Sequence, residues 1–223
     1  MIESDTCNIV REQPMLKALR SIFRSYKDQP SPRTLESPLD LRQGDMLRFD
    51  EDYSLPAELR GKTFKVDKVA TYFYSGPGVP EYAIRGEDGT RLFLSVEDFD
   101  GQEEIVVSRK LKRKQVEDFI GWKAMKALTR DGASDTFTVS RPISDWTATE
   151  YENRVSGANA TYTECDLRGL DSPSSCEALS YYEFYSADEK HSFEIEVWEG
   201  NEYEACVGIV RPFSDIAEYW PGA

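Results

Sequence analysis

Short segments of alternating apolar and polar residues make up most of the chain from residue 39 onward. In the first seventy residues of this region they are "DMLRFD", "TFKVDKVATYFY", "EYAIRG", "RLFLSVEDF" and "EEIVVSRKL". Alternation with β-branched and aromatic residues predicts strands, and the Asp-Gly of "EDGT" predicts a hairpin turn. With no crossover helix between them, these strands predict an antiparallel meander, closed or strongly curved so that its edges are protected.

A second β-rich region follows residue 134, with "TFTVS", "ATYTECDL", "LSYYEFYS", "SFEIEVWE" and "YEACVGIV". It can be aligned with the first region so that Tyr82 matches Tyr182 and Glu104 matches Glu204. This similarity has two interpretations: the two regions arose by an internal duplication, or they share only what any two three-stranded meanders have in common.

Apolar residues at three- and four-residue steps predict helices in two places. Residues 15–26 form an amphipathic pattern after Pro14, and a proline-rich linker follows; residues 113–133 predict a connecting helix. The expected domains are a helix and linker at 1–38, a β module at 39–112, the basic connecting helix at 113–133 and an acidic β module at 134–223. The fold class is mainly β with a minor α component, in two meander or barrel-like modules.

Charge is distributed unevenly along the 223 residues, whose formal net charge is −14. Residues 1–130 contain 22 basic and 22 acidic side chains, whereas residues 131–223 contain 5 and 19. An acidic C-terminal region repels nucleic acid and anionic lipid, so we expect no nucleic-acid partner. Eight Lys or Arg at residues 109–130 form a basic island, which we expect to pack against the acidic region through several ion pairs.

Sequence motifs for catalysis, metals and cofactors are missing. His191 is the sole histidine, and there is no nucleophile elbow, metal-ligand cluster, phosphate loop or dinucleotide fingerprint. We therefore expect no cofactor and no catalytic or metal site. Cys165 and Cys176 form a disulfide only if a hairpin aligns them, and free thiols are the alternative. No apolar run is long enough to cross a bilayer and no secretory signal is present, so the expectation is a cytoplasmic protein without stable membrane insertion.

Clustered aromatic residues are the most suggestive feature for function. Tyr72, Tyr74, Tyr182, Tyr185 and Trp220 fall in aromatic runs whose alternate members face opposite sides of a strand. They predict either an interaction surface or residues buried between two packed modules.

The segments "LRQGDMLRFD", "TFKVDKVATYFY", "PEYAIRGEDGTRLFLSVEDFDG" and "IVVSRKL" resemble a bacterial family of uncharacterised small β domains. The resemblance covers residues 39–111 and extends less clearly over residues 136–213. It implies a cytoplasmic accessory protein, encoded in some members near envelope-stress or polyamine-related genes, with no established reaction and no catalytic residues to transfer.

The sequence favours a non-catalytic accessory protein that binds another protein through its aromatic and acidic β surfaces. Two alternatives are an enzyme acting on a cationic or carbohydrate substrate through acidic residues, and a peripheral membrane adaptor. A deep pocket with facing carboxylates of raised pKa distinguishes the enzyme from a flat aromatic patch. The oligomeric state is open.

Overall fold

The computed structural model describes residues 33–171 and 175–222 of the chain, which are mainly β. The eleven strands are β1 (Met46–Phe49), β2 (Thr63–Phe73), β3 (Val79–Gly86), β4 (Arg91–Phe99), β5 (Gln102–Lys110), β6 (Thr136–Thr138), β7 (Glu150–Thr163), β8 (Glu177–Tyr185), β9 (His191–Trp198), β10 (Glu202–Arg211) and β11 (Ile216–Trp220). Two short helices, α1 (Arg113–Phe119) and α2 (Trp122–Leu128), join β5 to β6. The predicted mainly β fold is confirmed.

All strands pair antiparallel in one sheet, which closes on itself. Strands β2 to β5 form one meander and β7 to β10 another; β5 pairs with β10, and the ends of β2 and β7 pair through Thr71–Phe73 and 161–163. Eight strands therefore form a barrel-like ring, from which β1 with β11, and β6, extend. A ring protects strand edges that an open meander would expose.

The two meanders place their matched residues at equivalent positions. Tyr82 of β3 lies opposite Leu94 of β4, and Tyr182 of β8 lies opposite Ile195 of β9. The internal duplication stays a hypothesis, and the predicted domain boundaries stay predictions.

Alternation along β9 separates an apolar face from a polar face. In β9, Phe193 and Ile195 are fully buried in the main hydrophobic core, whereas Glu194 and Glu196 point to the other side. The apolar face is covered by α1 and α2, through Val116 and Phe119 of α1 and residues of α2. The main core thus lies on one face of the ring strands, and the other face carries two smaller hydrophobic clusters together with polar side chains.

Local sequence sets the breaks between elements. The predicted connecting helix is divided in two at Gly121, whose φ of 86° lies in the left-handed region where a right-handed helix cannot continue. Between β4 and β5, Asp100 and Gly101 both have positive φ, as a two-residue type I′ hairpin requires.

The basic island makes fewer contacts with the acidic region than the sequence predicts. Lys110 forms an ion pair with Glu204, and Lys126 lies 4.7 Å from the ring centre of Tyr203. Arg113 stacks over Trp122 of α2 instead. The expected set of several ion pairs is therefore not what the described residues show.

The predicted helix at residues 15–26 and Cys7 lie outside the described residues. Within those residues, no helix has the length and apolar character needed to cross a membrane.

Candidate functional site

The polar face of the ring strands encloses a cavity of about 320 Å³. Six strands contribute to its wall: β2, β3, β4, β7, β8 and β9. The lining combines tyrosine, glutamate and small aliphatic side chains, which are Tyr72, Tyr74, Val79, Pro80, Glu81, Ser95, Val96, Glu97, Val155, Ala158, Tyr181, Glu183, Glu194 and Glu196. We call this cavity the lumen.

Two hydrogen bonds cross the lumen between strands that are not neighbours in the sheet. Tyr185 Oη of β8 is hydrogen-bonded to Glu97 Oε2 of β4 at 2.7 Å, and Tyr72 of β2 donates to Glu196 Oε1 of β9 at 2.7 Å. Strands three or more places apart in the sheet can meet this way only across the inside of the ring. The polar face is therefore the inner face.

Tyr185 links two carboxyl groups that compete for one hydroxyl proton. Its Oη lies 2.7 Å from Glu97 Oε2 and 3.0 Å from Glu183 Oε1. A tyrosine hydroxyl donates once, so the second contact is a hydrogen bond only if one carboxyl carries a proton. Because Tyr181 also donates to Glu183 Oε1, at 2.9 Å, the geometry fits an ionised Glu183 and a protonated Glu97.

Burial and mutual repulsion raise the pKa of the lumen carboxyls. Burial, followed by the negative charge of Glu97, raises the pKa of Glu183 to about 7. Burial also raises the pKa of Glu196 to about 7, against the hydrogen bond from Tyr72. The pKa of Glu97 and of Glu194 is raised for the same main reason, since each is surrounded by protein. Several of these groups therefore change charge near neutral pH.

Glu81 differs from the other lumen carboxyls in its hydrogen bonding among the described residues. Glu183, Glu196, Glu97 and Glu194 each accept hydrogen bonds from hydroxyl groups. In the part of the chain that the structure describes, Glu81 accepts no hydrogen bond and forms no ion pair. Its half-buried side chain lines the lumen, and burial with the nearby Glu196 and Glu204 raises its pKa to about 8.

A second cavity of about 750 Å³ lies next to the lumen and shares four of its lining residues. The shared residues are Tyr72, Glu81, Glu194 and Glu196. Its outer wall is acidic, with Glu164, Glu177, Glu199, Glu202 and Glu204. Lys110 is the one basic side chain among its described lining residues, and the ion pair with Glu204 already engages it.

Three of the five aromatic residues singled out in the sequence belong to the lumen. Tyr72 lines it, and the Tyr72 and Tyr74 rings stack with centres 6.0 Å apart. Tyr74 keeps 41% of its surface exposed at the rim, while its ring centre lies 5.5 Å from that of Tyr181. Tyr185 is buried and bridges Glu97 and Glu183, as described above.

The other two aromatic residues lie elsewhere. Tyr182 faces the main core and donates to the carbonyl oxygen of Thr129 at 3.0 Å. Trp220 is 38% exposed in β11, which is outside the ring. A protein-contact surface formed by all five residues stays a prediction.

The remaining candidate groups have ordinary surroundings. Burial lowers the pKa of His191, which is partly buried at the start of β9. Cys165 and Cys176 are free thiols, and burial raises the pKa of Cys206 well above its usual value. Among the described residues, no three His, Cys, Asp or Glu side chains come close enough to hold a metal ion.

Sequence reasoning missed the lumen glutamates. A usable signal was present, because Glu194 and Glu196 alternate with apolar residues in β9, and Glu183 alternates with Tyr181 and Tyr185 in β8. Such a pattern also describes a strand with one face in water. Only the strand pairings that close the ring show that these glutamates face a cavity and not open water.

Comparison with known proteins adds a family but no activity. Residues 57–212 match the model of a family described as a domain of unknown function (DUF4178), so the chain belongs to that family. No curated protein and no solved structure matches the chain. This agrees with the expected membership of an uncharacterised family.

Proposed function

For this member of a family without an established activity, we propose a non-catalytic accessory role in which the ring binds a small molecule in its lumen. One observation carries the proposal: a cavity of about 320 Å³ into which side chains of six strands converge. Binding sites for small molecules are concave, partly apolar and equipped with a few convergent polar groups. Val79, Val96, Val155 and Ala158 supply apolar wall, and the glutamates supply polar groups.

The energetic cost of the lumen supports the proposal. Burying carboxyl groups without partner cations destabilises a fold, and apolar side chains at the same positions would be more stable. Groups that reduce stability and shift pKa values together are concentrated at functional sites. The lumen of this ring has five carboxyls whose pKa is raised, mainly by burial.

A fragment screen by saturation-transfer NMR tests the proposal, with a variant in which the lumen is filled. Ala158 of β7 lines the lumen, so Ala158→Phe places a ring inside it. The neighbouring Asn159→Phe is the matched control, because Asn159 is exposed. We expect fragments to bind the wild type and Asn159→Phe but not Ala158→Phe. Fragments that bind Ala158→Phe equally well would place binding outside the lumen and contradict the proposal.

An enzyme acting on a cationic or carbohydrate substrate is the second candidate. The observation that favours it is the pair Glu97 and Glu183, since a protonated and an ionised carboxyl facing one cavity can serve as acid and base. In the same screen, conversion of a fragment that stops in Glu97→Gln would favour the enzyme over simple binding.

Other expectations from the sequence stay predictions. These are a protein partner, a cytoplasmic location, a peripheral membrane role, and the association with envelope-stress or polyamine-related genes that the resemblance implies.

A further inference from the structure

Apart from the hydroxyl of Tyr74, which has no hydrogen-bond partner among the described residues, the tyrosine hydroxyls of the lumen are already engaged. The hydroxyl protons of Tyr72, Tyr181 and Tyr185 are already directed at carboxyl oxygens. Lys110, the basic residue of the adjoining cavity, is paired with Glu204. Glu81 by contrast accepts no hydrogen bond from any residue that the structure describes. A ligand that brings N–H donors can give Glu81 a hydrogen bond that the described residues do not supply.

The charge of the side chains around the two cavities also favours a cationic ligand. Beyond the residues that it shares with the lumen, the adjoining cavity is lined by five glutamates, of which Glu204 pairs with Lys110 and Glu164 with Lys68. Clefts lined by charge of one sign concentrate ligands of the opposite sign. Cations are therefore attracted toward Glu81 through the acidic outer cavity, and anions are repelled.

The residues that line the lumen favour an organic cation over a metal ion. The described carboxylates are distributed around the ring, and no three metal-ligand side chains come within coordination distance of one another. Between them lie the rings of Tyr72, Tyr74 and Tyr181 and the aliphatic side chains of Val155 and Ala158. Aromatic faces attract ammonium groups, and aliphatic side chains pack against a hydrocarbon body.

Building on the proposed function, we infer that the lumen ligand is an organic ammonium ion, with its charged nitrogen at Glu81 and its hydrocarbon body against the tyrosine and valine wall. Glu81 becomes the counter-ion of the ligand, which supplies the partner that this carboxyl lacks. The raised pKa of Glu81 is consistent with this role, because an arriving cation favours the ionised carboxylate that burial otherwise disfavours.

Three probes of nearly equal shape test the inference by titration calorimetry: hexylammonium, hexan-1-ol and hexanoate. We expect hexylammonium to bind about tenfold or more tightly than hexan-1-ol, and hexanoate not to bind. Glu81→Gln is expected to remove that advantage while leaving hexan-1-ol unaffected. Glu103→Gln is the control, since Glu103 is exposed in β5 and loses the same charge outside the lumen. Thermal unfolding of each variant verifies that it folds.

Failure of the inference is separable from failure of the proposed function. Equal or tighter binding of hexan-1-ol or hexanoate, or a Glu81→Gln variant that binds hexylammonium as the wild type does, would overturn the ammonium ligand but leave a lumen that binds small molecules. Lack of hexylammonium binding would overturn it too. The fragment screen with Ala158→Phe tests separately whether the lumen binds small molecules.

Discussion

The two faces of one strand, β9, show how differently this ring uses its inside and its outside. Phe193 and Ile195 have no exposed surface and pack in the main core. Glu194 and Glu196, one residue away from each, face the lumen among other carboxyls. The difference teaches that the two faces of this strand have different surroundings: one face packs in the main hydrophobic core, and the other places carboxyls of raised pKa in a cavity.

Replacing a residue on the apolar face should give the largest effect. Phe193 packs against the rings of Phe119, Phe137 and Phe184, with ring centres 5.3 Å, 5.5 Å and 6.2 Å away. Phe193→Ala is expected to lower the free energy of unfolding by about 3–5 kcal/mol, through lost burial and the cavity it leaves. Urea denaturation monitored by circular dichroism measures the change.

The neighbouring residue Glu194 provides the comparison on the lumen face. Glu194→Gln keeps the size of the side chain and removes a buried carboxyl whose pKa is raised. We expect this variant to be as stable as the wild type or more stable at pH 8. A loss as large as that of Phe193→Ala would show that the two faces do not differ in the way proposed.

Removing one hydroxyl from each face should have a smaller effect. Tyr185→Phe deprives Glu97 and Glu183 of their shared partner, and we expect a loss of about 1–3 kcal/mol because buried carboxyl oxygens are left less satisfied. Tyr182→Phe removes one hydrogen bond to the carbonyl of Thr129, on a side chain that is only partly buried. Its expected loss is about 1 kcal/mol or less. Chemical denaturation of both variants at one pH compares them, and equal losses would contradict a special role for Tyr185.

The raised pKa values of the lumen carboxyls should make the free energy of unfolding fall gradually as the pH rises. The pKa of Glu81 is about 8 in the folded state and near 4.5 in the unfolded chain. Between these values the folded state holds more protons, so the free energy of unfolding falls as pH rises through the folded pKa. The slope is at most about 1.4 kcal/mol per pH unit for each such group.

The range from pH 6.5 to 8 isolates this effect. Burial lowers the pKa of His191, and a histidine of lowered pKa increases stability as pH rises only up to its unfolded value of 6.5. Denaturation curves across the range should show falling stability in the wild type and in Glu103→Gln, and a smaller slope in Glu81→Gln. Stability that rises with pH over this range would be incompatible with the raised pKa values of the lumen.

Much of the local structure was predictable from particular residues. The segment "RLFLSVEDF" is β4 with the predicted bounds, because its alternation and the turns on either side of it are local signals. The division at Gly121 was not predicted, since the apolar period continues across it. The lumen was not predicted either: Tyr72 and Tyr74 were chosen for their aromatic character, and Glu81 was not among the candidate residues.

The sequence by itself determined the strands, their turns and which residues alternate on each face, because all of these depend on neighbours along the chain. Only the tertiary structure decided that the face with Glu81, Glu183 and Glu196 encloses a cavity instead of facing open water. That outcome depends on two pairings between distant strands, β5 with β10 and β2 with β7. Ring closure moves the same alternating carboxylates from water, where their pKa values would be ordinary, into a confined space where burial raises them.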